Sequence, residues 1–456
     1  MNLRIAWNSR IGSIHSDHLA IARGMAWVIL FVMLGKLSGA GKEMVLAWRY
    51  GVSEEMDAYL FVLNLVSWPL ALWFSVLTVV LVPLVARLRR DHAAGLPVFR
   101  AELLGMAMLA GCVLALAAAA LLSLTVRMHW VDLPPGTAAG VLKAIPGMVL
   151  LIPMGVLTSL FSAWMLAAGM HANTLLEGVP ALAIAVSVLA ANGGIAPLVW
   201  GTAAGFLLHM ACLVVPLARR REIEAPRLGL SSPAWLWFRQ CFAIMLVGNA
   251  LMSLIDIIDL MFTVHLGAGA ISTLGYANRI LALIIGLGGT AISRATLPVF
   301  SRAHYASGSE GGHSDGDGIH RVAMRWVAIM LGLGIAAMVA VWMTAPLATR
   351  LLFERGAFNA ENTAVVADVL RHGALQLPFY FAGLVLVSSL VARGQHRAVA
   401  LAAAINLPVK AAANFLLVPY FGINGLVLAT SVMYLSSFSV MCLFAWHLQK
   451  RKSVLR

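Results

Sequence analysis

This 456-residue chain has little charge: Lys, Arg, Asp and Glu together make up 11% of it, against 61% apolar residues. A water-soluble domain carries about 25% charged and 45–50% apolar residues. So small a supply of polar groups cannot cover a surface in water, and the mean hydropathy is +0.89. Lipid as the surrounding solvent removes that difficulty. Cysteine is scarce as well. Cys112, Cys212, Cys241 and Cys442 stand singly in or beside apolar runs, which excludes a CxxC redox or zinc motif. There is no HExxH, no GxSxG and no phosphate-binding loop, and the 13 histidines show no ligand spacing. The expectation is a protein that moves something rather than reacting with it, without metal or cofactor.

Acids are the scarcer charge, 19 against 32 Lys and Arg, for a net +13. In a soluble chain this excess would suggest nucleic acid. Here the cations sit in short loops between apolar runs, as the positive-inside rule requires, and no nucleic-acid partner is expected.

A membrane span needs about 20 mostly apolar residues. The pattern predicts an all-α integral membrane protein of about twelve transmembrane helices. They are placed near 20–48, 57–84, 101–126, 136–167, 173–192, 196–218, 236–264, 270–300, 322–348, 361–391, 397–418 and 422–447. The polar, basic leader meets no small-residue cleavage site, so an uncleaved first span is expected rather than a signal peptide. With both termini in the cytoplasm, 20 loop cations fall inside and 5 outside, which fixes the expected orientation. The Gly-, Ser-, His- and Asp-rich stretch 301–320 reads as a flexible cytoplasmic connector.

The chain also repeats itself. Pro153, Gly169 and His171 have the spacing of Pro378, Gly394 and His396; Gly194, Ile195 and Val199 have that of Gly422, Ile423 and Val427. Pro83 and Arg87 match Pro298 and Arg302. Two six-helix halves in parallel orientation are therefore expected, residues 1–233 and 234–456, around a central cavity. That is a transporter architecture, with the substrate path between the halves.

Seven cations fall within predicted spans: Lys36, Lys42, Arg239, Arg279, Arg294, Arg371 and Lys410. Arg239 and Arg294 are near cytoplasmic ends and can snorkel. A charge at mid-bilayer costs roughly 2.5–3.5 kcal/mol or more, so the others should face a wet cavity or an acid. Arg371 has Asp368 one turn away. Lys42 has Glu43 next door, but adjacent helical residues point about 100° apart and are poor partners. Lys36, Lys42 and Arg279 are expected to line an aqueous cavity. Asp57 either caps a helix or partners the cations of the first span. Asp256 and Asp259 share a face, with Lys410 at similar depth. They form either a structural triad or a coupling site, in which the lysine stands in for a monovalent cation.

Gly35 to Gly39 (GKLSG), Lys42-Glu43, Tyr50 to Val52 and Met56 to Tyr59 resemble the opening of the MurJ (MviN) family. So do Gly275 to Arg279 and Leu352 to Phe358 (LFERGAF) further on. The resemblance implies a flippase of the multidrug/oligosaccharidyl-lipid/polysaccharide exporter superfamily in the bacterial cytoplasmic (inner) membrane. Its partner would be an anionic lipid-linked saccharide, carried by alternating access. By the same resemblance Lys36, Lys42, Asp57 and Arg279 stand at substrate-binding positions. The departures are Lys for two family arginines, Asn278 for the acid before Arg279, and an uncharged stretch from Asn64 to Ala71. They suggest an undecaprenyl-pyrophosphate-linked saccharide for exopolysaccharide or a related surface glycan. The alternatives are lipid II for peptidoglycan, or a multidrug or cation antiporter of the same superfamily.

Overall fold

The computed structural model describes residues 33–91, 95–168, 170, 176–191, 193–309 and 316–454. The early part of the first predicted span, Gly169 and His171 of the repeat, and 310–315 of the connector lie outside these residues. Every element is helical, and no strand occurs among the described residues. Helix α1 covers residues 33–50. There follow α2 (Glu54–Asp91), α3 (Leu96–Arg127), α4 (Pro135–Met148), α5 (Leu151–Ala167), α6 (Val179–Ala190) and α7 (Ala196–Arg219). Then come α8 (Ala234–Val264), α9 (Ala270–Ser309), α10 (Gly316–Phe353), α11 (Ala360–Gly373), α12 (Leu377–Ala392), α13 (His396–Phe421) and α14 (Ile423–Val454).

Eight stretches are long and apolar enough to span a bilayer, nine if the pair α4 and α5, bent by 46°, is one span. The expected number of twelve is not reached on that measure among the described residues. Among the described residues of the predicted span 173–192, the helix is the 12-residue α6; 173–175 and 192 lie outside them. The helix at 236–264 forms over 31 residues as α8, yet it carries Arg239, Asp256 and Asp259.

Local signals explain the breaks. Proline stands in the first turn of α6, α7 and α12, where no helical N–H is lost. Asn359 caps α11, its Oδ1 accepting from the Asn362 N–H at 2.9 Å. The repeat seen in sequence reappears as two consecutive helices, bent by 46° between α4 and α5 and joined by the 3-10 turn Ala374–Gln376 between α11 and α12. The 14-residue α4 precedes the 17-residue α5, and the 14-residue α11 precedes the 16-residue α12. Pro153 and Pro378 occupy the first turn of the second piece in each. After α12 the chain turns at Gly394 with φ +71°, a conformation that favours glycine.

By contacts the chain divides into two compact units. One unit holds residues up to Leu46, Pro69–Leu121 and Ala144–Met245. The other holds Ala47–Trp68, Leu122–Lys143 and Leu246–Arg456.

In the first unit, α7 packs on α6 through Gly201 and Gly205. A Cβ at Gly201 would lie 2.6 Å from Ser187 Cβ, and one at Gly205 would lie 2.8 Å from Pro180 Cα. This is the small-xxx-small contact of membrane helices. The segment leading from α7 to α8 is tied down rather than slack. Glu222 is held by Arg89, at 2.9 Å, and by Arg100. The Arg227 N–H donates to the Ala101 carbonyl at 2.9 Å. Buried Glu102 accepts from the Ser231 N–H at 2.9 Å, the Ser232 N–H at 3.2 Å, the Trp235 Nε1–H at 2.7 Å and the Ser231 hydroxyl. Phe99 meets Trp235 edge-on beneath it, with ring centroids 5.5 Å apart. Glu102→Ala would strand these donors, and unmade buried hydrogen bonds cost about 1–3 kcal/mol each. Trypsin cleavage after Arg227 should then rise several-fold over the parent, with Glu102→Gln in between. Equal cleavage of all three proteins would count against this tether.

In the second unit α9 packs closely on α12 through two glycines. A Cβ at Gly288 would lie 2.6 Å from the Phe381 ring, and one at Gly289 would lie 3.0 Å from the Tyr380 hydroxyl. Gly286 has nothing within 4 Å, nor do Gly39 and Gly41 of α1. Helices α13 and α14 form a hairpin whose turn is Gly422, at φ +54°.

Candidate functional site

The hairpin carries a concentrated polar group in the second unit. Asn406, Lys410 and Asn414 recur every fourth residue along α13, so they share one face. All three are buried, Lys410 and Asn414 completely. The Lys410 ammonium is held by three oxygens. It donates to the Leu426 carbonyl at 2.7 Å and the Thr430 hydroxyl at 2.6 Å, both on α14. Asp259 Oδ1, on α8, is 3.0 Å away. Asn414 Nδ2 donates to the same Asp259 oxygen at 2.8 Å, and Asn406 bonds to Ser437. Asp256, one turn before Asp259, is exposed. Sequence reading named Asp256, Asp259 and Lys410 but missed Asn414, Thr430 and the Leu426 carbonyl. The four-residue spacing of polar residues in an apolar span was the available signal for Asn414. Nothing in the sequence marked a backbone carbonyl.

A second cluster joins three of the sequence motifs. The Gly51 carbonyl, at the end of α1, accepts from the Tyr276 hydroxyl at 3.1 Å. Around Tyr276 stand Phe353 and Phe358, with ring centroids at 5.0 and 5.3 Å. The Ala357 N–H donates to the Trp48 carbonyl at 2.9 Å. Gly51 has φ +55°, and a Cβ there would lie 2.5 Å from the Ala357 carbonyl oxygen. The glycine therefore answers both a backbone turn and a close approach. Asp57 sits in this cluster, 1% exposed. Its carboxylate accepts from the Gly269 N–H at 2.6 Å and the Ser272 N–H at 2.7 Å.

That placement corrects both readings of Asp57. It neither caps its own helix nor partners the cations of the first span; it caps the N-terminus of α9, with both oxygens engaged. Two further ion-pair expectations are revised. Arg371 does not pair with Asp368. Its Nε–H donates to the Trp342 carbonyl at 3.0 Å, and its guanidinium lies 5.2 Å from the Trp342 ring centroid. Asp368 instead accepts from Asn424 at 2.6 Å. Lys42, judged a poor partner for Glu43, lies 2.7 Å from it. The four-carbon lysine stem bridges the 100° offset that separates the Cβ atoms. Lys36 is exposed on α1, and Arg279 is half-buried on α9.

The family model described as lipid II flippase MurJ matches residues 75–456. The chain is 33% identical over 164 residues to a protein of Rhizobium tropici named probable lipid II flippase MurJ, covering 36% of this chain and 30% of that one. It is 28% identical over 236 residues to the Rhizobium meliloti protein of the same name, covering 51% and 42%. The matched stretches thus span less than half the length of these relatives. In fold, the chain aligns with a lipid II flippase MurJ in an inward closed conformation at TM-score 0.73 and 17% identity, over 91% of this chain and 87% of that one. It aligns with an inward-facing multidrug resistance MATE transporter at TM-score 0.72 and 14% identity, over 93% and 95%. At such identities the structural likenesses speak for the fold alone. The sequence match over most of its length goes further: this multi-pass helical membrane protein belongs to the MurJ family.

Proposed function

We propose that the chain carries lipid II, the pyrophosphate-linked peptidoglycan precursor, across the bacterial inner membrane. The observation that supports it is the family match over residues 75–456. The expected exopolysaccharide role finds no support, since the curated relatives quoted above are named for lipid II. The antiporter alternative rests on fold likeness alone.

In this reading Lys36, Lys42 and Arg279 supply positive charge to the pyrophosphate. Lysine remains a phosphate-binding cation, though it lacks the bidentate fork of arginine. Lys42 would exchange its Glu43 partner for the anionic cargo. Asp256, Asp259 and Lys410 stand in the same proposal as coupling or anchoring groups, and the triple oxygen embrace of Lys410 favours anchoring. Asp57 serves as a cap rather than a ligand.

The test is translocation of lipid II in proteoliposomes. A hydrogen bond to a charged group contributes about 1.5–3 kcal/mol, so Lys36→Ala, Lys42→Ala and Arg279→Ala should each slow transport about tenfold or more. Lys36→Arg and Lys42→Arg should retain it. No lipid II transport by the parent protein, or undiminished transport by all three alanine variants, would refute the assignment.

A further inference from the structure

The segment between α7 and α8, residues 220–233, lies over a site that its own side chain only half fills. Arg89 of α2 and Arg100 of α3 converge on the carboxylate of Glu222 in this strap. Arg89 is 2.9 Å from it and also donates to the Ala167 carbonyl, where α5 ends, at 3.3 Å. The site is open at one end and closed at the other. The side chains of Arg89 and Glu222 are 37% and 19% exposed, that of Arg100 only 6%. Fully buried Trp164 of α5 closes it, with its ring centroid 6.0 Å from the Arg100 guanidinium carbon. All of these groups belong to the first unit.

A carboxylate matches neither the donors nor the charge of this site. Arg100 Nη2 meets a Glu222 oxygen. Arg100 Nε, on the same edge of the guanidinium, is buried with no hydrogen-bond partner, and so is Trp164 Nε1. Buried N–H groups without an acceptor are rare and costly. A phosphate group presents tetrahedral oxygens and takes both N–H groups of one arginine edge at once. Two acids act on Arg100, Glu222 and Glu224, and both lie on the strap. With the strap lifted, two arginines remain, a charge that a phosphate dianion balances.

We infer that Arg89, Arg100 and Trp164 form a phosphate-binding site that Glu222 occupies as a built-in competitor, so that phosphate binding releases the strap. The ligand is a phosphate group, whether free inorganic phosphate or the headgroup of a phospholipid. The inference concerns the first unit and does not depend on the identity of the lipid cargo.

The first measurement needs no variant. In the purified full chain, sodium phosphate in place of chloride at equal ionic strength should raise trypsin cleavage after Arg227 several-fold. The same assay in mixed detergent micelles, with phosphatidylcholine or with phosphatidic acid, separates the sources. Release by inorganic phosphate supports the free anion, and release by phosphatidic acid but not by inorganic phosphate supports the headgroup. Cleavage indifferent to both would overturn the inference. The second measurement is binding of whichever probe releases the strap, in radiolabelled form. A tethered carboxylate competes at an effective concentration of about millimolar. Glu222→Gln should therefore bind the probe about tenfold or more tighter than the parent. Arg89→Gln, at a partly exposed position, should bind it about tenfold or more weakly. Folded Glu222→Gln that binds no tighter, or Arg89→Gln that binds as the parent does, would overturn the inference as well.

Discussion

Replacing Lys410 by Met should destabilise the protein by roughly 3–5 kcal/mol, the usual cost of removing one partner of a buried ion pair. In thermal midpoint this is a fall of about 3–5 °C for a chain of 456 residues. The loss comes from what remains. Asp259 would keep one hydrogen bond, from Asn414 at 2.8 Å, but no opposite charge. The Leu426 carbonyl and Thr430 hydroxyl would lose their donor. Methionine fills nearly the same volume, so a packing defect contributes little. The double variant Asp259→Asn with Lys410→Met removes both charges, and neutral replacement of a whole buried pair is often without cost. It should recover most of the midpoint. If single and double variants unfold together, the ammonium is held by packing and not by charge.

Asp57→Ala carries the second large effect. Loss of an ordinary capping side chain costs about 0.5–2 kcal/mol. Here the cap is 1% exposed and serves two backbone donors, of Gly269 and Ser272. Each orphaned donor adds about 1–3 kcal/mol, so a loss of roughly 2–5 kcal/mol is expected. Asp57→Asn keeps one accepting oxygen and should fall between. Hydrogen exchange gives the local readout: the amides of Gly269 and Ser272 should lose protection in Asp57→Ala. Unchanged exchange at both would show that the carboxylate is not what holds the start of α9.

Much of this was legible in the residues. Apolar run length marked the helical segments, and cation placement argued for an orientation. The matched spacing of Pro153 and Pro378 marked an internal repeat, though not the breaks in the helices that carry it. The approach of Lys410 to Asp259 followed from depth and charge. Other features were not legible, for physical reasons. For Asp57 the sequence offers only local partners, its own helix or the cations of the first span, while its actual donors lie more than two hundred residues away. Arg371 found Trp342 rather than Asp368 because a carbonyl and a ring face were nearer than the acid one turn back. Tyr276, Phe353 and Phe358 carry recognisable motifs, yet their convergence is a property of the fold. The contact units were not legible either, for the same reason. Residues 47–68 and 122–143 pack with the C-terminal residues, and no composition change announces it.

The division into units has a mechanical corollary. The chain passes between them at 46/47, 68/69, 121/122, 143/144 and 245/246. Those junctions fall inside α1, α2, α3, α4 and α8, and none falls in a loop. There is no slack connector at any of them, so a rearrangement of one unit against the other must be absorbed as curvature in continuous rods. A helix resists this except where its hydrogen-bond ladder is already interrupted. In α2 the junction falls immediately before Pro69, which donates no backbone hydrogen bond. In α4 Pro146 stands three residues past the 143/144 junction, so two of the five helices lose a backbone donor close to the point where the chain changes unit.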